Sequence, residues 1–407
     1  MLLKSNSQKL AKLMRSIFLI LGLSFLFWSC SEDSESPAPV ENEYLVESSL
    51  KIALDESLIK NFAIFSGLPE FTDYVRNDIE IYKIIYKTVV QGEEVLASGV
   101  ISIPSGLPGP IPMISAFRGT IFSDTEAPSE NSLIYGFEVF AAAGYATVMP
   151  DMIGFGSSKE MVQHYYNQAT NGRVAIDMIR ASHEFFSERD ILLNDQLFLF
   201  GYSQGGFITM ATQQAIENDP ALGWDLTAVA AGAGAYNIEF VMEDVIDRGV
   251  FTSPGFLSLI IYSYNEVNNF NKSMEYYFQE PYASQMPFLL NGSKSQGQIN
   301  EALSDTLINY FQPSFVEGMK NKTQTEMIKA FRDNSVHDWQ PEAPLRLYHS
   351  SGDEYIPIAD SQNTAELLKE NGSDVEFILL GEKNHSSSSI DMISETIPWF
   401  EGLRTDL

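Results

Sequence analysis

The chain has 407 residues, 44% of them hydrophobic and 19% charged, with five histidines and one cysteine. That is enough apolar material for one large domain with an insertion or for two small domains, and too much for a chain disordered by composition. The formal net charge of −29 excludes nucleic acid as a partner, because phosphate is repelled by such a surface, and a lone cysteine excludes a disulfide within the chain.

The first residues read as a targeting segment outside the fold. Lys4, Lys9, Lys12 and Arg15 form a basic region without an acid, and Ile17 to Trp28 is a nearly unbroken apolar run. Twelve helical residues rise about 18 Å, short of a hydrocarbon core of ~30 Å, so residues 1–29 fit a secretory signal rather than a membrane span. Phe27-Trp28-Ser29-Cys30 resembles a bacterial lipobox, although Trp28 departs from the small residue usual at its place. That resemblance implies export, lipidation of Cys30, and a lipid anchor holding the protein at the outer membrane or cell surface. Residues 30–43 are polar, acidic and proline-containing, the composition of a tether.

Residues 44–75 mix apolar and polar side chains around Leu45, Leu50, Ile52, Leu58 and Phe62, and read as short helices covering a sheet edge. Ile79 to Val90 and Val95 to Ile103 are β-branched runs joined at Gln91-Gly92, an antiparallel hairpin. The rhythm then changes. Strands are expected at Met113–Phe117, Tyr145–Met149, Leu197–Tyr202 and Leu226–Ala231, with helices at Leu133–Ala143, Arg173–Phe186 and Gln204–Ile216. Such alternation means βαβ units and a parallel sheet. Residues 237–337 break it and read as a mostly helical, aromatic insertion. Strand Leu345–His349, helix Ile358–Glu370, strand Val375–Leu380 and helix Ile390–Phe400 resume it. The division expected is a core over 44–236 and 338–407 with the insertion between.

Gly201-Tyr202-Ser203-Gln204-Gly205 fits the G-x-S-x-G elbow, in which a strand turns sharply into a helix and presents a serine. Gly201 and Gly205 remove side chains that would collide in so tight a turn. The apolar strand running into the elbow and the helix after it strengthen the match; Ser293-Lys294-Ser295-Gln296-Gly297 has neither and is discounted. A serine hydroxyl needs a base, and the base an orienting acid. His385, after the last strand, and Asp353, after Gly352 at the end of the preceding strand, complete the order Ser, Asp, His expected for such an elbow. Glu354 and Asp360 compete as acids. His164 is a possible pocket residue, His183 an ordinary helix residue, and His337 ends the insertion. Asp151 reads as a loop-shaping residue. Two backbone N–H groups should form an oxyanion hole, one from Gln204 and the other from Thr120 in the Arg118-Gly119-Thr120 loop.

The order of elements, with the Phe117–Thr120 loop, the Pro150–Ser158 loop, the elbow, Gly352-Asp353 and His385, resembles the secreted lipase and esterase branch of the α/β-hydrolases found in bacteria and fungi. The likeness covers roughly residues 75–235 and 340–404. Members commonly carry His-Gly-Thr where this chain has Arg118-Gly119-Thr120. The resemblance implies an α/β-hydrolase fold, a mostly parallel sheet with flanking helices and a helical cap insertion, and cleavage of carboxylic esters or lipids through an acyl-enzyme on Ser203. No cofactor is implied: metal-ligand spacings, a Rossmann pattern and a phosphate loop are all missing from the sequence.

Two other readings stay open. The same triad cuts amides, so a serine peptidase fits if an acidic pocket binds a peptide N-terminus, with Glu239, Glu243 and Asp244 as candidates. A noncatalytic ligand-binding lipoprotein on the same scaffold is the third.

Overall fold

A computed structural model describes residues 42–65, 67–106, 109–132 and 136–405. The signal, Cys30 and nearly all of the tether lie outside the described residues. From Asn42 onward the chain forms one compact unit.

Nine strands make one sheet, in the order β1-β2-β3-β5-β4-β6-β7-β8-β9. β1 is Leu45–Leu54, β2 Ile79–Val90, β3 Glu93–Pro104, β4 Ile111–Phe117, β5 Ala146–Pro150, β6 Leu193–Tyr202, β7 Leu226–Gly232, β8 Leu345–His349 and β9 Val375–Leu379. β1, β2 and β3 pair antiparallel, and β3 pairs antiparallel with β5. Every pairing from β5 to β9 is parallel. β4 and β5, the last six residues of β6 and the last five of β7 are buried on both faces, which explains their near-continuous apolar runs; the edge strand β9 buries only Val375. In β6, Leu197 and Leu199 enter one hydrophobic core, while Phe198, Phe200 and Tyr202 enter the other. This is the α/β-hydrolase architecture that the resemblance implied.

Helix α1 (Glu56–Phe65) follows β1, and the short α2 (Glu138–Ala142) precedes β5. Helix α3 (Gln168–Glu188) precedes β6, and α4 (Gln204–Glu217) leaves it. Between β7 and β8 the chain runs through eight helices and no strand: α5 (Ile238–Arg248), α6 (Pro254–Val267), α7 (Met274–Tyr277), α8 (Tyr282–Leu289), α9 (Gln296–Ala302), α10 (Leu307–Tyr310), α11 (Pro313–Lys320) and α12 (Thr325–Asn334). The last two, α13 (Ile358–Glu370) and α14 (His385–Leu403), follow β8 and β9.

Three expectations need correction. Leu45–Leu54 is a sheet-edge strand, not a helix. Its pairing with β2 is interrupted between Leu45 and Glu47 and again between Leu50 and Ile52, so bulges destroy the period-2 pattern by which a strand is read. The helix expected over Leu133–Ala143 is described only as Glu138–Ala142, with residues 133–135 outside the description. The last helix begins at His385, five residues before the expected Ile390. Its N-cap is Asn384, whose side chain accepts the Ser387 N–H, and the serine run over 386–389 hid that first turn.

Candidate active site

The elbow is built as the sequence requires. Ser203 sits at φ 60°, ψ −124°, a conformation that a non-glycine residue holds only when its surroundings dictate it. Its N–H donates to the Gly232 carbonyl on β7 at 2.8 Å. The two glycines are there because backbone passes close by. A Cβ on Gly201 would lie 2.3 Å from the Gly205 carbonyl oxygen, and one on Gly205 would lie 2.0 Å from that of Phe117. The elbow therefore presses directly on the end of β4. That contact brings the Arg118–Thr120 loop to the serine, with the Cβ position of Gly119 only 3.6 Å from Ser203 Cβ.

Asp353 and His385 come together on the loops after β8 and β9. Their contact, Asp353 Oδ2 to His385 Nδ1, is 2.6 Å. Burial alone would raise the Asp353 pKa, but hydrogen bonds from His349 and His385 outweigh it and hold the carboxyl well below the usual carboxylate range. Its other oxygen accepts the N–H groups of Tyr355 and Ile356, each at 2.9 Å. The His385 ring is flanked by Tyr202 and Tyr355, both with centroids 5.1 Å away. The Tyr202 hydroxyl donates to the His385 carbonyl at 2.7 Å. With Nδ1 engaged by the acid, Nε2 is the nitrogen left for a proton from the serine.

The competing acids have other partners. Glu354 accepts the backbone N–H of His385 at 2.9 Å and so anchors the start of α14. Asp360 is buried beyond β7, where it accepts the N–H groups of Tyr236 and Asn237 at 2.8 and 3.0 Å. Burial lifts its pKa to about 7 against those two bonds.

His349 is a participant that the sequence did not single out. It is fully buried, with Nε2 3.1 Å from the Ile356 carbonyl and 3.3 Å from Asp353 Oδ2. Two acceptors face Nε2, so that nitrogen carries the proton, and in the neutral ring Nδ1 accepts from the Ser361 hydroxyl at 2.7 Å. Asp353 is thus held by a histidine on each side. The signal was present only as two residues four apart across a strand end, a spacing that carries no meaning outside a helix.

Ser203 and His385 line an open cleft of about 460 Å³ with Thr120, Phe62, Phe137 and Phe256. Thr120, Ser203, Phe256, Tyr355 and His385 also line a second, narrow cavity of about 50 Å³. Its remaining wall is almost wholly apolar and comes largely from α5 and α6, including Val241, Val245 and Ile260. The helical insertion therefore supplies much of the wall of the cavity beside the serine. The Thr120 hydroxyl is paired with the Tyr165 hydroxyl at 2.9 Å, which fixes the loop on the insertion side of the site. Gln204 opens α4, where the first N–H groups have no acceptor within the helix.

Arg118, standing where the resembling family carries histidine, points away into the protein. It is buried, donates to the Asp151 carbonyl at 2.5 Å and lies over the Phe155 ring at 4.7 Å. Asp151 is buried with it and accepts from the Ser98 hydroxyl and the Ser129 N–H, a loop-shaping role. His164 pairs with the Thr170 hydroxyl, and burial lowers its pKa to about 4. His183 stacks on Trp224, and His337 faces Asn237. None of these three lines either cavity. The acids considered for a peptide N-terminus are occupied elsewhere: Glu239 pairs with Arg332 and Lys322, Glu243 with Lys322, and Asp244 with Arg248. They line neither cavity.

A secreted triacylglycerol lipase of Malassezia furfur is 22% identical over 277 residues, 65% of this chain and 66% of that protein. Lipase 10 of Candida albicans is 24% identical over 273 residues, 63% and 55% of the two chains. The chain thus spans between half and two thirds of the length of these relatives. Among solved structures, a protein of Legionella pneumophila superposes with a TM-score of 0.83 at 26% identity, covering 90% of this chain and all of that one. The rice cell wall degrading esterase LipA of Xanthomonas oryzae gives 0.78 at 24% identity, with 90% and 100% covered. The family model described as secretory lipase matches residues 130–403, a segment holding the elbow, the helical insertion, Asp353 and His385, and the chain belongs to that family.

Proposed function

We propose that the protein is a serine hydrolase of carboxylic esters. The observation that carries the reading is the hydrogen-bonded Asp353–His385 pair opening onto the same cleft wall as Ser203, with an apolar cavity leading off at that point. In the proposed reaction Ser203 Oγ attacks the ester carbonyl and His385 Nε2 takes its proton. The carbonyl oxygen, now an anion, is held by the N–H groups of Gln204 and Thr120. Collapse expels the alcohol, which leaves with the proton from His385. A water molecule then gives a proton to His385 and attacks the acyl carbon, and the second adduct collapses to the free acid as Ser203 Oγ leaves and takes that proton back from His385. Losing one oxyanion donor costs about 3 kcal/mol of transition-state stabilisation. The narrow cavity takes the acyl chain and the open cleft the alcohol. The names of a triacylglycerol lipase and of a cell wall degrading esterase among the similar proteins support the ester class.

Export and a lipid anchor on Cys30 belong to the same proposal. The support is the short apolar run before that cysteine and the name of a secreted relative.

The test is turnover on p-nitrophenyl esters of rising acyl length beside aminoacyl anilides. The reading expects esters to be cleaved with a preference for acyl chains that fit the narrow cavity, and anilides to be left intact. Efficient anilide cleavage with inert esters overturns it in favour of a peptidase.

A further inference from the structure

Ser203 and His385 face two spaces of very different size, the open cleft of about 460 Å³ and the narrow cavity of about 50 Å³. Phe256 and Tyr355 line both, and their rings meet edge to face at 5.5 Å, so this pair forms the partition between them. Helical spacing sets the wall of the narrow cavity. Ile238, Val241, Met242 and Val245 stand at i, i+3, i+4 and i+7 on α5, and Leu257 and Ile260 at i and i+3 on α6. None of these six is more than 6% exposed. Other helices of the insertion back them, α11 and α12 behind α5 and α9 behind α6. The far wall is therefore packed interior, which does not take up extra methylenes without displacing its neighbours.

We infer that the substrate is a short-chain ester, a small acyl group carried by a much larger alcohol, and that Val245 and Ile260 help to set the limit on acyl length. The inference rests on the ester-hydrolase reading and on its placing of the acyl group in the narrow cavity. A water-sized group needs roughly 10–15 Å³ of such a space, so the cavity takes about three or four of them, an acyl chain of about two to four carbons. The hydroxyls of Thr120 and Tyr165 are spent on each other, and the six wall residues offer only apolar side chains, so the acyl group is a plain alkyl one. The cleft lies within the range of sites that enclose whole small molecules, roughly 300–1,000 Å³. Phe71 and Phe137 give it an aromatic wall, and Gln296, Ser386 and Ser389 bring polar groups to it. That lining suits an alcohol built on a ring, with one apolar face and some polar edge.

The test is kcat/KM of the full chain on dissolved p-nitrophenyl esters from acetate to octanoate. It should be highest between acetate and butyrate and about tenfold lower or more on octanoate. A second pair fixes which space takes which half of the ester. Cyclohexylmethyl acetate and methyl octanoate both release a simple alkyl alcohol, and the first should be cleaved about tenfold faster or more. Val245→Ala/Ile260→Ala takes methyl groups off the wall and should raise the octanoate-to-acetate ratio of kcat/KM about tenfold, with octanoate turnover higher than in the parent. A variant that is only destabilised would lower both esters together and leave the ratio alone. Should the double substitution fail to fold, Val245→Ala with hexanoate in place of octanoate reads the same ratio, and the parent's own profile needs no variant. A profile that is flat or rises to octanoate overturns the inference. So does faster cleavage of methyl octanoate than of cyclohexylmethyl acetate, or an unmoved ratio in a folded variant. Failure of the ester-hydrolase reading looks different: no ester of any length is turned over, and the inference falls with it.

Discussion

Asp353→Asn replaces one carboxylate oxygen by an amide nitrogen, and the surrounding hydrogen bonds dictate where that nitrogen goes. Asp353 Oδ1 accepts two backbone N–H groups, from Tyr355 and Ile356. An NH₂ in that place would set donors against donors, so the amide oxygen stays there. The NH₂ is then turned toward His385 Nδ1, 2.6 Å from the oxygen it replaces, and toward His349 Nε2, whose proton moves to Nδ1 of that ring, where the Ser361 hydroxyl can turn to accept it. A donor facing His385 Nδ1 makes that nitrogen the acceptor and moves the imidazole proton to Nε2, where it blocks transfer from Ser203. The imidazolium formed during reaction also loses its counter-charge. A tautomer error of this kind costs ~10⁴-fold in kcat, about 5.5 kcal/mol of barrier. Glu354→Gln is the matched control, because its amide oxygen can still accept the His385 N–H, and less than a threefold change is expected. The assay is kcat and KM on a dissolved p-nitrophenyl ester, with the Tm of each variant. An Asp353→Asn enzyme retaining more than a tenth of normal kcat, or a Glu354→Gln enzyme crippled to the same degree, would refute the reasoning.

Gly205→Ala should abolish soluble, active protein, because its Cβ would lie 2.0 Å from a backbone oxygen that cannot move without displacing β4; expression yield, Tm and turnover read it, and a normal Tm with normal turnover would contradict it. Asp360, with its pKa raised to about 7, takes up a proton on folding between pH ~4 and about 7, so its contribution to stability is complete below pH ~4, declines as pH rises, and is gone above about 7, a total on the order of 4 kcal/mol. Urea unfolding between pH 4.5 and 8 should show a flatter pH slope in Asp360→Asn than in the parent, and parallel slopes would exclude this role. Cys30→Ala should move the protein from the membrane fraction to the soluble one, and retention after detergent-free washing would mean that the anchor is something else.

The parallel half of the fold was legible because its inner strands are buried on both faces along most of their length and each is followed by a helix. Leu197–Tyr202 reads as an apolar run, and the structure extends it only upstream, to Leu193. The positions of Ser203, Asp353 and His385 were legible through chain order, since Ser203 follows β6, Asp353 the end of β8 and His385 the end of β9. What stayed hidden depends on contacts between distant segments. The bulges that disguise β1 are defined only by its partner β2. His349 has no mark in the sequence, because its place against Asp353 arises when the loop after β8 folds back. The turning of Arg118 into the interior is set by Asp151 and Phe155, more than thirty residues on. The pairing of Glu239 and Glu243 with Lys322 likewise needed the insertion to fold before it could remove those acids from the site.

In the proposed reaction Ser203 is a nucleophile activated by His385. A fluorophosphonate bonds covalently to an activated serine and spares ordinary ones, so the most direct measurement is labelling followed by mass mapping of the adduct. One adduct per chain is expected, on Ser203, with labelling and ester turnover lost together in Ser203→Ala while the Tm stays nearly unchanged, and labelling slowed by orders of magnitude in His385→Gln. An adduct on another serine, or an unlabelled Ser203 in a chain that still hydrolyses esters, would contradict it.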